Sequence, residues 1–331
     1  MRILFYDAQP YDRAGFARLL PEYPSLEVDY IDANLTPDTA RLAQGYEAVC
    51  VFVNADLGRE SLRVLHRVGV HTVLLRCAGY NQVDIGAANE YDIAIFRVPG
   101  YSPEAVAEHA MALALAVNRK LHKAYIKVRE NNFSLVGLTG MTFYGKTAGV
   151  IGTGKIGQAM CRICCGFGMR VLAYDKYPND TLIAAGVEYV SLSQLLSQSD
   201  LISLHCPLTD ETYHMICADT IRQMKPGCIL VNTSRGALVN TQDLIAGIRE
   251  HCFFGVGLDV YEEEGDNVFE NREEDILESS VTARLLSFPN VIVTSHQGFL
   301  TAEALDAIAR TTLDNAMSVL RDQPLLENMV Q

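Results

Sequence analysis

The chain has 331 residues, of which 49% are hydrophobic and 20% are charged. This composition is typical of a globular protein and excludes a disordered or fibrous chain, and the length predicts about two domains. The 40 acidic and 27 basic residues give a formal net charge of -13, which disfavours nucleic acid as a partner because like charges repel. A small anionic ligand is still compatible, because it responds to local charge.

The start of the chain lacks the long apolar region of a signal peptide, and the most apolar stretch, residues 110–117, is too short to span a bilayer. We therefore expect a cytoplasmic protein without membrane contact, whose nine cysteines are mostly free thiols. Cys161, Cys164 and Cys165 have no second Cys or His pair at zinc spacing. We interpret them as small residues that pack a helix, and we expect no metal.

Strands and helices alternate in the first hundred residues. Short apolar runs predict strands at residues 2–6, 28–31, 48–53, 72–75 and 93–97. Helical spacing lies between several of these runs, as at Phe16, Leu19 and Leu20 and at residues 61–68. This alternation predicts a parallel sheet that is covered on both faces.

A helix then begins after the breaker pair Pro99-Gly100. Ser102 suits the N-cap, Pro103 the first helical position and Glu104 the first turn. We expect this helix, which is rich in Ala and Leu, to run to about Lys120 and to join two domains.

A second alternating series begins near Lys146. We predict strands at residues 147–151, 170–174, 201–204, 229–232, 255–259 and 291–294. We predict helices at residues 156–167, 192–196, 241–250 and 301–321. The acidic residues 262–278 indicate a solvated loop.

A GxGxxG motif follows the first strand of this second series and opens its first helix. The first glycine allows a tight turn, the second lets the backbone approach a pyrophosphate, and the third lets helix pack on strand. The free N–H groups of the helix N-terminus favour phosphate. We therefore predict dinucleotide binding by the residues Gly152, Gly154, Lys155, Ile156 and Gly157.

Asp175 ends the next strand. Its carboxylate can accept hydrogen bonds from both ribose hydroxyls of NAD and should repel the 2′-phosphate of NADP. Lys176 could soften that preference. We therefore predict NAD as the cofactor.

With this motif placed in the second half, the chain resembles the D-isomer-specific 2-hydroxyacid dehydrogenases, and within them the bacterial fermentative D-lactate dehydrogenase branch. The resemblance covers nearly the whole chain. Besides the glycine motif it rests on residues 98–109, 205–209, 232–240, 257–261 with Glu264, and 295–301. Tyr101 and the stretch 296–301 carry the likeness to the lactate branch.

The resemblance implies an α/β fold with two doubly wound parallel-sheet domains, a Rossmann nucleotide domain inserted into a flavodoxin-like catalytic domain. Residues 1–100 and 299–331 would form the catalytic domain, and residues 101–298 the NAD-binding domain. The active site would lie in the cleft.

Arg235, Glu264 and His296 match the catalytic positions of the family. A guanidinium can hold the carboxylate of a 2-oxo acid in a two-bond fork. Reduction of the ketone also needs a proton, which His296 can donate because an imidazole titrates near physiological pH. Glu264 would favour the imidazolium, although the choice of Glu264 over Glu262 and Glu263 rests on the family pattern.

The resemblance also assigns the rest of the site. Cys77, Ala78 and Gly79 would hold the substrate carboxylate, Tyr101 would lie at the nicotinamide side, and Phe52 and Phe299 would bound a pocket of methyl size. Cys206, Pro207 and Thr212 would line the adenine side of NAD, and Thr233, Ser234 and Asp259 the nicotinamide side. Cys206 replaces an apolar residue often seen there, and we interpret His205 as structural.

The family pattern predicts NADH-dependent, reversible reduction of pyruvate to D-lactate. Two alternatives stay open: a dehydrogenase for a bulkier 2-oxo acid such as phenylpyruvate or 2-oxoisocaproate, and an NADH-sensing protein like the C-terminal-binding corepressors. The helix from Pro103 resembles the element through which the family pairs nucleotide domains, so we expect a homodimer or a higher homo-oligomer.

Overall fold

The computed structural model describes residues 1–264 and 280–330. The described chain forms two compact units, one made of Met1–Ser102 and the chain from Leu300 onward, the other of Pro103–Phe299. The predicted bounds differ from these by one or two residues. Of the predicted acidic loop, residues 265–278 lie outside the described residues.

The first unit is a parallel five-stranded sheet with the order β2-β1-β3-β4-β5, which is the flavodoxin-like order. Its strands are β1 (Arg2–Phe5), β2 (Glu27–Tyr30), β3 (Ala48–Val51), β4 (Thr72–Leu75) and β5 (Ala94–Phe96). Its helices are α1 (Pro10–Leu19), α2 (Arg59–Arg67), α3 (Ile85–Glu90) and α12 (Ala302–Leu320). Strands β3 and β4 are buried along their whole length, as expected of a sheet with both faces covered.

Arg76 follows β4 and is 2% exposed. It donates hydrogen bonds to the carbonyl oxygens of Tyr6 and Asp7 at 3.2 and 2.7 Å, and its guanidinium lies over the ring of Phe52 at 4.8 Å. A buried guanidinium needs such partners to offset the loss of water. Arg76 therefore fixes the carboxyl ends of β1 and β4 and the position of the Phe52 ring.

The second unit is a parallel seven-stranded sheet with the order β12-β11-β10-β9-β6-β7-β8. Its strands are β6 (Thr147–Ile151), β7 (Arg170–Tyr174), β8 (Glu188–Tyr189), β9 (Leu201–Leu204), β10 (Cys228–Asn232), β11 (Phe253–Leu258) and β12 (Val291–Val293). Strand order reverses between β6 and β9, as in Rossmann sheets, and ligands of such sheets bind outside the carboxyl ends of the strands at this point.

The helices of this unit cover both faces of its sheet. They are α4 (Pro103–Asn118), α5 (Leu121–Arg129), α6 (Lys155–Gly166), α7 (Asp180–Ala184), α8 (Leu192–Gln198), α9 (Ala218–Ile221), α10 (Thr241–Arg249) and α11 (Ser280–Ser287). The α/β class and the two doubly wound parallel sheets confirm the predicted fold. Among the described helices, none is long and apolar enough to cross a bilayer.

The helix predicted from Pro103 to about Lys120 is confirmed as α4, which ends at Asn118, and a further helix that was not predicted, α5, follows it. Lys120 has a left-handed backbone with φ +50°, which ends α4 and starts α5, because an L-residue in that region cannot continue a right-handed helix.

The cysteine cluster lies in α6, where Cys161 and Cys164 are buried in the same core as Ala107 of α4. Burial raises the pKa of the Cys161 thiol to about 12.

Candidate active site

The glycine motif forms the turn between β6 and α6. Gly152 has φ +89°, and a Cβ added there would lie 2.5 Å from the Cys206 nitrogen. A Cβ at Gly157 would lie 1.9 Å from the Gly152 oxygen, so neither position accepts a side chain. At Gly154 a Cβ would meet no protein atom within 4 Å. The first and third glycines therefore shape the turn, and the second keeps its backbone open to a pyrophosphate at the N-terminus of α6.

Asp175 closes this turn from the end of β7. Its Oδ2 accepts hydrogen bonds from the Thr153 nitrogen at 2.5 Å and the Thr153 hydroxyl at 3.0 Å, and its Oδ1 accepts one from the Tyr177 nitrogen at 2.9 Å. Burial alone would raise the pKa of Asp175, but these hydrogen bonds outweigh it and hold the pKa below its ordinary value. Asp175 is therefore a carboxylate at neutral pH, and neighbouring Lys176 is ion-paired with Glu211.

The residues predicted for the adenine side follow β9, on the other side of the strand-order reversal. Cys206 is 8% exposed, and burial raises the pKa of its thiol to about 11. The Thr212 hydroxyl donates to the Pro207 carbonyl at 2.7 Å, which closes the loop. His205 Nε2 lies 2.8 Å from the Ser203 hydroxyl, and burial lowers the pKa of His205 to about 4. His205 is therefore a neutral imidazole at physiological pH.

Asn232, the last residue of β10, organises the turn that carries Thr233, Ser234 and Arg235. Its Oδ1 accepts from the Ser234 nitrogen at 3.0 Å, and its Nδ2 donates to the Arg235 carbonyl at 2.9 Å. The Ser234 hydroxyl donates to the Cys206 carbonyl at 2.7 Å. The buried Thr233 hydroxyl has no hydrogen-bond partner within the described chain, which leaves it available to a cofactor amide.

The guanidinium of Arg235 is half-buried, and its Nη1 donates to the Ser234 carbonyl at 2.7 Å. Within residues 1–264 and 280–330, no carboxylate forms an ion pair with Arg235. A partly desolvated guanidinium in this situation is suited to a carboxylate ligand. This is the charge that a 2-oxo acid would supply.

His296 and Glu264 are in contact. His296 Nδ1 lies 3.1 Å from Glu264 Oε1, and the two side chains are 22% and 18% exposed. Glu264 Oε2 accepts from the Tyr261 nitrogen at 3.3 Å, which holds the carboxylate in place. The pair has the geometry of a proton donor held by an acidic partner.

Asp259 holds the turn in which His296 lies. It is 2% exposed. Its carboxylate accepts hydrogen bonds from Thr294 Oγ1 at 2.5 Å, from the Gln297 nitrogen at 2.9 Å and from the Gly298 nitrogen at 2.8 Å. His109 Nε2 lies 3.2 Å from the same carboxylate and donates to it. Burial would raise the pKa of Asp259, but the bonds from His109 and Thr294 outweigh it and keep the pKa low. The structure thus gives Asp259 an internal role, and its predicted contact with the nicotinamide stays a prediction.

The three consecutive glutamates differ in whether they contact a histidine. Glu264 contacts His296, whereas Glu262 contacts His214 at 2.6 Å and Glu263 is exposed. Geometry therefore singles out Glu264 as the partner of His296. The roles of His109, His214 and Glu262 were missed from the sequence, because each depends on a partner far away in the chain.

Most of the remaining predicted residues belong to the first unit, and four of them, Phe52, Cys77, Ala78 and Gly79, follow the carboxyl ends of its strands. Phe52 follows β3, and Cys77 follows Arg76 after β4. The Ala78 carbonyl accepts from Arg97 at 3.0 Å, and the Gly79 carbonyl accepts from the Cys77 thiol at 3.2 Å. Tyr101 is half-buried in this unit, and Phe299 is buried at the last position of the second unit.

Comparison with known proteins agrees with this geometry. Residues 111–298 match the family described as D-isomer specific 2-hydroxyacid dehydrogenase, NAD binding domain. The chain is 48% identical to D-lactate dehydrogenase of Escherichia coli over 330 residues, which covers all of both chains. The matched range includes the glycine turn, Asp175, Arg235, Glu264 and His296.

Two solved structures are similar over their full lengths. The apo-structure of D-lactate dehydrogenase from Escherichia coli has a TM-score of 0.91 and 47% identity, with 100% of each chain covered. The pyruvate reductase of Chlamydomonas reinhardtii has a TM-score of 0.93 and 40% identity, with 98% of each chain covered. The chain therefore belongs to the D-isomer-specific 2-hydroxyacid dehydrogenase family, and its cofactor is NAD.

Proposed function

We propose that the enzyme reduces pyruvate to D-lactate with NADH, reversibly. The observation that carries this proposal is the contact between His296 and Glu264 at 3.1 Å, in the same unit as Arg235 and the glycine turn. The names of the relatives, D-lactate dehydrogenase at 48% identity and pyruvate reductase at 40%, support the choice of substrate.

Arg235 is the proposed anchor of the substrate carboxylate. Its side chain has a backbone carbonyl as partner and no ion-paired carboxylate within the described residues. A two-bond fork between guanidinium and carboxylate fixes the orientation of the neighbouring carbonyl as well as the charge. The enzyme thereby presents one face of the ketone, which determines the hand of the product.

His296 is the proposed proton donor to the carbonyl oxygen. Because Nδ1 contacts Glu264, we propose Nε2 of the same ring as the atom that transfers the proton. The carboxylate of Glu264 stabilises the imidazolium before the proton leaves, and in the reverse direction it stabilises the imidazolium that forms. The nicotinamide of NADH supplies the hydride.

The cofactor would lie along the carboxyl ends of β6, β7, β9 and β10. Gly152, Gly154, Lys155, Ile156 and Gly157 would take the pyrophosphate, and Asp175 the ribose of the adenosine half. Cys206, Pro207 and Thr212 are assigned to the adenine, and Thr233, Ser234 and Asp259 to the nicotinamide. For the substrate we propose Cys77, Ala78 and Gly79 at the carboxylate and Phe52, Tyr101 and Phe299 around the methyl group.

We also propose a homodimer that forms through a surface following α4, which we name the 121–144 face. Its exposed apolar side chains are Leu121, Tyr125, Ile126, Val128, Phe133, Leu135, Val136 and Tyr144. A cavity of about 780 Å³ lined by Leu115, Leu138 and Phe143 among others opens here. An apolar patch of this kind is characteristic of a protein interface.

The dimer contact expected of the helix from Pro103 stays a prediction, and we extend it to the chain beyond this helix because α4 packs most of its apolar residues within its own unit. Ala107, Ala110 and Ala114 are fully buried in the core that also contains Met160 and Cys161 of α6. The apolar surface left for a partner is therefore on α5 and the chain that follows it.

A cytoplasmic location is part of the proposal and is supported by nine free cysteines.

A panel of 2-oxo acids assayed with NADH and with NADPH tests the function. We expect pyruvate and NADH to give the highest kcat/KM and D-lactate as the product, because Asp175 is ionised and repels a 2′-phosphate. A preference for phenylpyruvate or 2-oxoisocaproate would replace pyruvate in the proposal. Tight NADH binding without turnover of any acid would favour the sensor alternative.

His296→Asn is expected to lower kcat for pyruvate reduction by about 10²- to 10⁴-fold, because the proton donor is lost. NADH affinity, measured by fluorescence titration, is the control and should not change. Equal turnover of the two proteins would end the assignment.

Arg235→Lys is expected to raise the KM for pyruvate about 10- to 100-fold, because an ammonium cannot reproduce the planar fork and one charged hydrogen bond is lost. The measurement is steady-state kinetics at saturating NADH. The KM for NADH is the internal control, since the guanidinium is assigned to the substrate. An unchanged KM for pyruvate would contradict the role of Arg235.

The double variant Leu135→Glu/Val136→Glu is expected to dissociate the homodimer, because two charges would have to be buried in the interface. Light scattering coupled to gel filtration measures the mass. Leu42→Glu, which changes an exposed leucine of the first unit, is the matched control and should leave the mass unchanged. A monomeric wild type, or a dimeric double variant, would overturn the proposed interface.

A further inference from the structure

The second unit contains another histidine–glutamate pair, formed by His214 and Glu262. His214 Nε2 lies 2.6 Å from Glu262 Oε1, and the side chains are 24% and 21% exposed. Glu262 Oε2 accepts hydrogen bonds from the Thr241 nitrogen at 2.8 Å and from the Thr241 hydroxyl at 2.9 Å. The carboxylate therefore has three donors, all supplied by the protein.

These contacts fix Glu262 in its charged form. Burial would raise the pKa of Glu262, but the hydrogen bonds from His214 and Thr241 outweigh it and hold the pKa below its ordinary value. Glu262 is two residues before Glu264, so whatever fixes the backbone at Glu262 also limits where the Glu264 carboxylate can lie.

His214 is itself fixed to the segment that follows Arg235. Its backbone nitrogen donates to the Ala237 carbonyl at 2.9 Å, and its Nδ1 lies 3.2 Å from Asn240 Nδ2. The ring of Tyr213 stacks on the imidazole with 3.9 Å between centroids. His214 has a left-handed backbone with φ +51°, a conformation that is stable only where surrounding contacts compensate for its cost.

Two contacts thus join the segment after Arg235 to the segment before Glu264. One contact is the set of hydrogen bonds that the Glu262 carboxylate accepts from Thr241 and His214. The other is a close backbone approach, since a Cβ added at Gly236 would lie 2.2 Å from the Tyr261 carbonyl carbon. The first contact uses side chains, so substitution can remove it without disturbing the second.

We propose that His214 and Glu262 are a positioning pair for the reaction, which holds the Arg235 and Glu264 segments in their mutual position while neither residue touches the substrate. The inference rests on the proposed function, because it gives the pair a role in aligning Arg235 with Glu264 and His296. The chemistry of the pair is that of a half-buried carboxylate bridging an imidazole and a helix N-terminus.

A role limited to capping α10 does not account for these contacts. The side chain of Asn240 already caps that helix by accepting from the Asp243 nitrogen at 3.0 Å. Glu262 adds a bond to the first helical residue, Thr241, and a second one to His214 outside the helix. The added bonds link segments, and their loss should affect alignment more than helix stability.

The position of the pair in the sheet predicts which kinetic constants change. His214 and Glu262 contact the segments that follow β10 and β11, whereas Gly152 and Asp175, which are assigned to the pyrophosphate and the ribose, follow β6 and β7. Loss of the pair should therefore lower kcat and leave the affinity for NADH nearly unchanged. Misplacement of a reacting group by a fraction of an ångström to 1 Å is sufficient to lower the rate about 10- to 100-fold.

The test compares Glu262→Ala, His214→Ala, the double variant, and His214→Gln, which retains an N–H donor. Glu263→Gln is the matched control, since it removes one negative charge at the adjacent position while its amide oxygen can still accept from Thr241, which Glu263 also contacts. Steady-state kinetics with pyruvate and the other 2-oxo acids, NADH affinity and hydrogen exchange of the full-length protein are measured for each. Hydrogen exchange is followed in residues 233–236, 261–264 and 152–157.

We expect Glu262→Ala and His214→Ala each to lower kcat about 10- to 100-fold, with NADH affinity within about twofold of the wild type. The double variant should be no slower than Glu262→Ala, because residues acting as a unit are not additive. His214→Gln should recover most of the rate and Glu263→Gln should retain it. Exchange should accelerate at residues 233–236 and 261–264 and not at 152–157.

Additive losses, an unchanged kcat in folded Glu262→Ala, or a loss that includes NADH affinity and exchange at residues 152–157 would each overturn the positioning role. Failure of the proposed function is recognised separately, since the wild type would then reduce no acid of the panel. In that case the exchange rates at residues 233–236 and 261–264 still decide whether the pair holds the two segments together.

Discussion

The buried carboxylate of Asp259 is the interaction on which the site most depends. It lies just after β11 and receives donors from the turn after β12 and from His109 on α4. A charge 2% exposed is stable only while these donors remain, so the turn of His296 cannot move without leaving an unpaired charge in the interior. The His296 backbone nitrogen also donates to the Asp259 carbonyl at 2.8 Å. Asp259 therefore holds both the backbone of His296 and the turn that contains it.

Parallel strand order explains how the other two groups reach the same edge. Strands β10, β11 and β12 are neighbours in the sheet, and their carboxyl ends carry Arg235, Glu264 and His296 in that order. Each group follows its strand after a short turn, and a different hydrogen-bonding group holds each turn. The Asn232 side chain holds the turn of Arg235, the Tyr261 backbone holds Glu264, and Asp259 holds the turn of His296. The three groups are separated widely in sequence, and the fold assembles them through adjacency of strands.

The fold class and the family were predictable because they depend on local patterns. Alternating apolar strands and helices indicated two parallel sheets, and the GxGxxG spacing identified β6, its turn and α6. The catalytic assignment of Glu264 over Glu262 needed the family pattern, since three adjacent glutamates are equivalent by composition. Coordinates supply the physical distinction, because only Glu264 contacts His296 while Glu262 contacts His214 and Thr241.

Other features could not be inferred from local patterns. The helix α5 was not predicted, and its start depends on one left-handed residue, Lys120, whose residue type does not require that conformation. His109, His214 and Glu262 act through partners between 21 and 150 residues away, and single-sequence patterns contain no information on such pairs. The internal use of Asp259 was missed for the same reason, because its four donors come from distant segments.

The burial of cysteine beside the nucleotide turn has a consequence for chemical resilience. Peroxides and electrophiles attack the thiolate, and the thiolate fraction of a group whose pKa is about 11, such as Cys206, is very small near neutrality. Burial also raises the pKa of Cys165, the exposed member of the α6 cluster. The Cys206 sulfur therefore serves as a packing group beside the glycine turn, and its small thiolate fraction disfavours attack by peroxides and electrophiles.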